Sequence, residues 1–223
     1  AFRPPRNMVH LVASRSFVSY SRSGLTHKLS TNPYSFIHII NPEFGDQKKT
    51  KSNTVSRFKK VRGKINQFIE EGTFVQDKED SLYVYRQKFR GNVFTGIIAG
   101  ASIDDYENGV IKKHEHTILK REVIFKNYLE TTDMNAEPVL MTYPDNDRIK
   151  EVLERQLKST PEYDYMSANS ACHQFWKISD PEDIRVIQEQ FVGFNALYIA
   201  DGHHRCASSN LLGHEMRRNN PNH

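Results

Sequence analysis

The 223-residue sequence has few cysteines and no long apolar segment. Its longest apolar runs, near residues 36–40 and 97–101, are much shorter than the roughly 20 residues that a membrane-spanning helix needs, so no membrane partner is expected. Cys172 and Cys206 fit neither a disulfide framework nor a zinc pair, and they favour a reducing, cytoplasmic location. No GxxxxGKS/T segment occurs, which excludes a P-loop nucleotide site.

The composition that remains is that of a globular protein with a substantial core. Hydrophobic residues make up 37% and charged residues 26%, and the formal net charge is only +4. We predict one α/β region over residues 1–223, with an optional sub-boundary near residues 72–80. The sequence is compatible with a homodimer. The tail at residues 217–223 is expected to be frayed or cut.

The positive charge is concentrated in residues 48–64, which contain eight basic residues and no acidic one. Such a segment is typical of a nucleic-acid surface. However, apolar residues recur at helical spacing from Val55 to Ile69, and no aromatic residue is interleaved on the basic side. The pattern therefore favours an amphipathic helix with a solvated basic face, and a nucleic-acid partner is not expected.

Apolar runs and turn residues predict alternating strands and helices. Strands are predicted at residues 34–40, 81–87, 93–102, 138–143 (buried), 173–178 and 197–200. Helices are predicted at residues 55–71, 117–132, 147–157 and 180–191, and from about residue 206 onward. Residues 104–109 read as a turn, and Asp180 with Pro181 reads as a helix start. Hairpin signals around Gly91 favour a mixed sheet with flanking helices over a purely parallel one.

A dense polar cluster, "DGHHR" at residues 201–205, separates the predicted strand at 197–200 from the last helix. A helix N-terminus carries unpaired N–H groups and partial positive charge, and a glycine there allows a ligand to approach the backbone. These features predict a phosphate site at Gly202, with Arg205 as a cationic partner. Asp201 suits a Mg²⁺ ligand, a group that orients a histidine, or an acceptor for a substrate. The structural alternative is that Asp201 only caps the helix.

A second polar segment, "KKHEHT" at residues 112–117, follows the predicted turn. Glu115 lies between His114 and His116, and its carboxylate suits a general base that deprotonates a hydroxyl nucleophile. The two lysines that open the segment are suited to attracting phosphates. The structural alternative is an exposed first helical turn that Thr117 caps.

A zinc-dependent hydrolase is a further alternative, because both segments contain side chains that bind zinc. The ligand types are Asp201, His114, His116, His203 and His204. Their spacing does not match HExxH, so the pattern alone does not select this alternative.

Six segments occur in an order that resembles the domain of unknown function 1015 (DUF1015) family. They are NPYSFIHI, LYVYRQ, DDYENGVIKKHEHT, AEPVLMTY, HQFWKI and LYIADGHHR, and they cover nearly the whole chain. The resemblance implies that the chain corresponds to the N-terminal part of a longer protein.

The two polar segments also resemble, more distantly, those of free serine kinases of the ParB/sulfiredoxin-like superfamily. That resemblance implies a ParB/sulfiredoxin-like phosphate-binding corner at residues 201–205 and a glutamate base. Residue types and resemblance together predict three sets of roles. They are catalysis by Glu115, His204 and Arg205; phosphate binding by Gly202, His203, His204, Arg205 and Lys113; and substrate or Mg²⁺ binding by Asp201, His114 and Thr117, with Asp201 as the metal ligand.

The expected function is an ATP-dependent phosphotransferase that acts on a small hydroxyl metabolite, with free L-serine as the best-fitting acceptor. ATP (or ADP as donor) and Mg²⁺ are the expected cofactors, and a nucleotide and a small hydroxyl amino acid are the expected partners. A nucleotide-binding, DNA-associated regulator of ParB type is the main alternative, with residues 48–64 as its DNA contact. The zinc-dependent hydrolase is the other.

Overall fold

The structure, a computed structural model, describes residues 1–220. The helices in that range are α1 Val9–Val12, α2 Arg22–Thr31, α3 Ile37–Ile40, α4 Val55–Glu70, α5 Ile103–Glu107, α6 Leu119–Thr132, α7 Asp147–Leu157, α8 Pro181–Val192 and α9 His203–Asn219, with a 3-10 turn at Phe17–Ser19. The strands are β1 Phe2–Arg3, β2 Val75–Gln76, β3 Leu82–Phe89, β4 Asn92–Ile98, β5 Ile111–Lys112, β6 Leu140–Thr142, β7 Tyr163–Met166, β8 Cys172–Ile178 and β9 Leu197–Asp201.

Helices combine with small sheets of both parallel and antiparallel strands, which confirms the predicted mixed α/β class. No helix within residues 1–220 is long and apolar enough to cross a bilayer. The chain divides into two compact units. Unit 1 comprises residues 1–49, 60–99 and 148–187, and unit 2 comprises residues 50–59, 100–147 and 188–223. The sub-boundary near residues 72–80 stays a prediction.

Unit 1 is built on a four-stranded antiparallel sheet with the order β4-β3-β8-β7. β3 and β4 form the predicted hairpin, and Arg90 and Gly91 at its tip both have positive φ, as a tight hairpin turn requires. Val84 and Trp176 are opposite each other in neighbouring strands and are almost fully buried. Their burial anchors one face of the sheet in the core of this unit.

The amphipathic helix predicted in the basic segment is confirmed as α4. Its apolar stripe is buried at Phe58, Val61, Ile65 and Phe68, whereas Lys59 and Lys60 face solvent. The predicted start of α8 is also confirmed, because Asp180 Oδ1 accepts hydrogen bonds from the N–H groups of Glu182 and Asp183.

Unit 2 contains a three-stranded sheet with the order β5-β9-β6. β9 is the central strand; it is parallel to β5 and antiparallel to β6. Buried Ile111 and Ile199 pack with Tyr106, Cys206 and Ala207 in a small core. Helix α6 lies along α9, and Lys126 of α6 contacts Glu215 of α9 at 2.9 Å. Through Cys206 and Ala207, the first turns of α9 pack against the sheet.

The strand predicted at residues 34–40 is wrong, because this segment is helical at α3. Its backbone N–H groups bond three residues back, as in His38 N to Ser35 O at 2.9 Å. Adjacent polar groups hold this turn: the His38 ring contacts Asn32 O, and the Phe36 N–H donates to Val12 O. Ile37 and Ile39 are both buried, so a short apolar run was compatible with either structure.

Three further features differ from the prediction: the type of one segment, the exposure of one strand and the start of the last helix. The predicted turn at residues 104–109 begins with helix α5, which Ser102 caps by accepting from Asp104 N. The strand at residues 138–143 is an edge strand, with Leu140 61% exposed, rather than a buried one. The final helix begins at His203, about one turn earlier than predicted. Of the predicted frayed tail, residues 217–219 belong to α9, and residues 221–223 lie outside the described residues.

Candidate functional site

The "DGHHR" segment lies where β9 ends and α9 begins, entirely within unit 2. Gly202 occupies the N-cap position with φ +102°, a conformation that residues with a side chain rarely adopt. Its carbonyl accepts hydrogen bonds from Arg205 N at 2.9 Å and Cys206 N at 3.1 Å. His203 and His204 are the first two residues of the helix, so their N–H groups have no acceptor within it. Together with the helix dipole, they place partial positive charge at this corner.

Parallel pairing of β5 with β9 brings the second polar segment to the same corner. Lys112, the last residue of β5, pairs with Tyr198 of β9. Because parallel strands end at the same edge of a sheet, the chain after Lys112 leaves the sheet beside Asp201 and Gly202. Residues 113–118 therefore lie over the start of α9, although about 90 residues of sequence separate the two segments.

Two histidines fasten this loop to α9. His203 Nε2 accepts a hydrogen bond from the His114 N–H at 3.4 Å, and His204 Nε2 accepts one from the Ile118 N–H at 3.1 Å. A nitrogen that accepts a hydrogen bond carries no proton, so in a neutral ring the proton is on Nδ1. The backbone thus selects the same tautomer in both rings and leaves each Nδ1–H free to act as a donor.

Glu115 lies beside the buried histidine of this pair. Its Oε2 atom is 3.5 Å from His203 Nδ1, the nitrogen that the tautomer makes a donor. His203 is only 4% exposed, whereas the Glu115 side chain is 62% exposed. The His114 ring stands nearly perpendicular to the His203 ring, with the centroids 4.3 Å apart. A buried imidazole therefore lies beside a carboxylate that remains accessible to a ligand.

Arg205 lies over Gly202 and contacts two carboxylates. Its Nη2 donates to Asp201 Oδ2 at 2.5 Å, and its Nη1 donates to Glu137 Oε2 and to Pro138 O, both at 3.1 Å. A Cβ atom on Gly202 would lie 2.9 Å from the guanidinium, so the arginine covers the backbone at this point. Asp201 and Glu137 are 74% and 75% exposed. In this structure the cation is therefore neutralised by acids that solvent reaches easily.

Glu137 is the residue that sequence reasoning did not identify. It precedes β6, which is antiparallel to β9, and the pairing of Leu140 with Asp201 brings this end of β6 to the corner. The sequence offers no local signal for this contact, since Glu137 lies 68 residues from Arg205. Only the pairing of β6 with β9 explains it.

Lys113 contacts the aromatic ring of Tyr106, with Nζ 3.7 Å from the ring centroid. The nearby thiol of Cys206 belongs to the buried core, and burial raises its pKa, although the charges of Arg205 and Lys113 act in the opposite direction. The phosphate-binding role of Lys113 stays a prediction.

Thr117 does not cap the following helix, so that structural alternative is wrong. The N-cap position of α6 is Ile118, and no side chain caps the helix there. The Ile118 N–H donates to the His204 ring, an interaction that joins the two polar segments. A substrate-binding role for Thr117 stays a prediction.

Three metal-binding side chains converge at the site. Donor atoms of His114, Glu115 and His203 all lie within 4.8 Å of one another. His116, His204 and Asp201, which the sequence also offered as ligands, are not part of this group. Asp201 instead accepts from Arg205, and its role as a Mg²⁺ ligand stays a prediction.

Comparisons with known proteins give one match. A family model described as "Protein of unknown function (DUF1015)" matches residues 1–223, the full length of the sequence. No curated protein and no solved structure matches the chain.

Proposed function

The chain belongs to the DUF1015 family, and we propose that it is an ATP-dependent phosphotransferase whose acceptor is a small hydroxyl metabolite, with free L-serine the first acceptor to test. One observation carries the proposal. His203 and His204 fasten the Glu115 loop onto the N-terminal turn of α9, so an accessible carboxylate lies beside the side chain of His203, the first residue of a helix whose first N–H groups have no intrahelical acceptor. A base for a hydroxyl and a site for phosphate oxygens are thus adjacent.

Glu115 acts as the base in this proposal. Its carboxylate removes the proton from the acceptor hydroxyl as that oxygen attacks the terminal phosphorus of ATP. The bond between this phosphorus and the bridging oxygen breaks, ADP departs with the electron pair, and the proton stays on Glu115. The His203 ring lies beside this carboxylate, with Nδ1 3.5 Å from Oε2, and its other nitrogen accepts a hydrogen bond from the His114 N–H.

The start of α9 binds the phosphates, as in a ParB/sulfiredoxin-like corner. The N–H groups of His203 and His204, the Nδ1–H of His204 and the ammonium of Lys113 supply hydrogen bonds or positive charge. Arg205 joins them by exchanging Asp201 and Glu137 for phosphate oxygens. Exposed ion pairs of this kind contribute only about 0–1 kcal/mol, so the exchange costs little.

The same exchange of partners would make Asp201 available to Mg²⁺. Asp201 is an exposed carboxylate next to the phosphate corner, and it loses its cationic partner when Arg205 moves to the phosphates. It is the residue that we expect to hold the ion, which neutralises charge on phosphate oxygens. Without Mg²⁺, the phosphates would be repelled by the carboxylates of Asp201 and Glu137, which Arg205 would no longer neutralise.

The test is phosphoserine formation from ATP, Mg²⁺ and L-serine, with ADP as a second donor. Glu115→Gln removes the base but keeps the size of a mostly exposed side chain, so we expect folding to be retained and the rate to fall by about 10²–10⁴-fold. Glu79→Gln, at a 73% exposed glutamate of unit 1, is the matched control and should turn over normally. Undiminished activity of Glu115→Gln would refute the assignment.

A zinc-dependent hydrolase is the second candidate, because two histidines and a glutamate converge at the site. Catalytic zinc sites use three protein ligands and keep a position open for water or substrate. The DNA-associated regulator is less well supported, because the solvated face of α4 accounts for Lys59 and Lys60 without a nucleic acid. That alternative and the homodimer stay predictions.

A further inference from the structure

We propose that His114, Glu115 and His203 bind a divalent first-row transition-metal ion, with zinc as the first probe. We call these three residues the His-Glu-His triad. Their donor atoms lie within 4.8 Å of one another, and within residues 1–220 no other group of three histidine, cysteine or acidic side chains converges this closely. Two imidazoles and one carboxylate are a ligand set that suits zinc, iron and other borderline metal ions.

The measured spacing agrees with shared coordination. Zinc–nitrogen and zinc–oxygen bonds of about 2.1 Å at tetrahedral angles place two ligand atoms about 3.4 Å apart. His203 Nδ1 and Glu115 Oε2 are 3.5 Å apart. This pair can accept a metal ion with almost no movement, and the His114 ring must rotate to complete the triad.

Burial divides the triad into a fixed ligand and two accessible ones. His203 is nearly inaccessible to solvent and lies in the first turn of α9, so its ring is held before any metal arrives. Glu115 and His114 are exposed and belong to the loop over α9. An ion can therefore enter from solvent, and the exposed side leaves coordination positions open.

One hydrogen bond must change when the metal binds. Ligation through His203 Nδ1 moves the ring proton to Nε2, which can then no longer accept from the His114 N–H. That bond is long, at 3.4 Å, and His114 moves in any case when its ring turns toward the metal. The change of tautomer is a specific signature of the proposed ligation.

Metal binding here does not depend on the proposed phosphotransferase activity, but the two compete for Glu115. A carboxylate that coordinates a metal ion is a much weaker base, because the cation withdraws electron density from both oxygens. We therefore expect a zinc-loaded protein to transfer phosphate poorly and to recover when a chelator removes the zinc. Binding and transfer are measured separately, so the failure of one is distinguishable from the failure of the other.

The direct experiment is titration of the chelator-treated protein with Zn²⁺, followed by calorimetry, and with Co²⁺, followed by its visible absorption. We expect one equivalent to bind and the imidazole nitrogen resonances of His203 to report the proton on Nε2. His114→Ala and Glu115→Gln should each weaken binding by about 100-fold or more, since even the loss of an indirect support costs 10–100-fold.

His116→Ala is the matched control, because this neighbouring exposed histidine lies outside the triad. It should bind zinc as the wild type does. Equal affinities of His114→Ala and wild type, or no stoichiometric binding by the wild type, would overturn the proposal. Both informative variants replace exposed side chains, so loss of folding does not confuse the result.

Discussion

Two arginine networks in this chain use the same side-chain chemistry, but only the first contains a buried carboxylate. In unit 1, Arg3 Nε donates to Asp77 at 3.0 Å, and Arg3 Nη1 donates to Glu162 and to the hydroxyl of Tyr163. Asp77 also accepts from the Tyr83 hydroxyl at 2.8 Å, and it is only 6% exposed. In unit 2, Arg205 contacts Asp201 and Glu137, both about three-quarters exposed.

Burial decides what each network can do. Burial by itself would raise the pKa of Asp77, but the hydrogen bonds from Tyr83 and Arg3 and the charges of Arg3 and Lys177 outweigh it and lower that pKa. A carboxylate held in this way cannot release its partners without stranding a buried charge. Asp201 and Glu137 carry no such penalty, because water reaches both carboxylates when Arg205 leaves them. The first network therefore stabilises the fold, and the second can exchange partners with a ligand.

The largest effect that separates the two networks is expected on stability. Asp77→Asn keeps the size of the side chain but removes the buried anion that Arg3 and Lys177 share and leaves them only the more exposed Glu162 and Glu79, which should cost about 3–5 kcal/mol in the free energy of unfolding. Asp201→Asn should cost about 1 kcal/mol or less. Urea denaturation of both variants measures the difference. Equal losses of unfolding free energy in the two variants would show that the Asp77 network stabilises the fold no more than the Asp201 network does.

A second effect should appear in catalysis rather than stability. Arg205→Ala removes a cation that we expect to bind the transferring phosphate, so phosphoserine formation should fall by about 100-fold while unfolding changes little. Arg217→Ala is the control, because Arg217 also pairs with an exposed acid, Asp104, on the same helix. Normal turnover by Arg205→Ala would remove this residue from the mechanism.

The smallest effect concerns the acid that sequence reasoning did not identify. Glu137→Gln weakens the contact of one of the two carboxylates that compete with phosphate for Arg205, so nucleotide affinity should rise by up to about fivefold. Calorimetric titration with ATP and Mg²⁺ measures it, with Glu79→Gln as the reference. A loss of affinity would mean that Glu137 supports the ligand rather than competing with it.

Signals within one segment could be predicted from the sequence, whereas contacts between distant segments could not. The apolar spacing of α4 and the cap at Asp180 are local, and both are confirmed. The strand predicted at residues 34–40 was wrong because a short apolar run fits either a strand or a helical turn. Only the contacts that the segment makes with the rest of the protein determine which of the two forms.

The site shows the same division. The sequence located both polar segments, but their meeting depends on the parallel pairing of β5 with β9, which no local pattern specifies. The tautomers of His203 and His204 likewise follow from backbone N–H groups that lie about 90 residues away in sequence. The sequence predicted Arg205 as a cationic partner for phosphate, and the two acids that pair with it became visible only with the fold.

Thermal unfolding with nucleotides tests most directly whether the corner at Gly202 binds phosphate. A ligand that binds only the folded state at 100 times its Kd adds about 2.7 kcal/mol of stability, and so raises the Tm. With Mg²⁺ present, we predict that ATP and ADP raise the Tm of the wild type, that adenosine does not, and that Arg205→Ala loses most of the increase. An unchanged Tm with every nucleotide, or an equal increase with adenosine, would contradict the account.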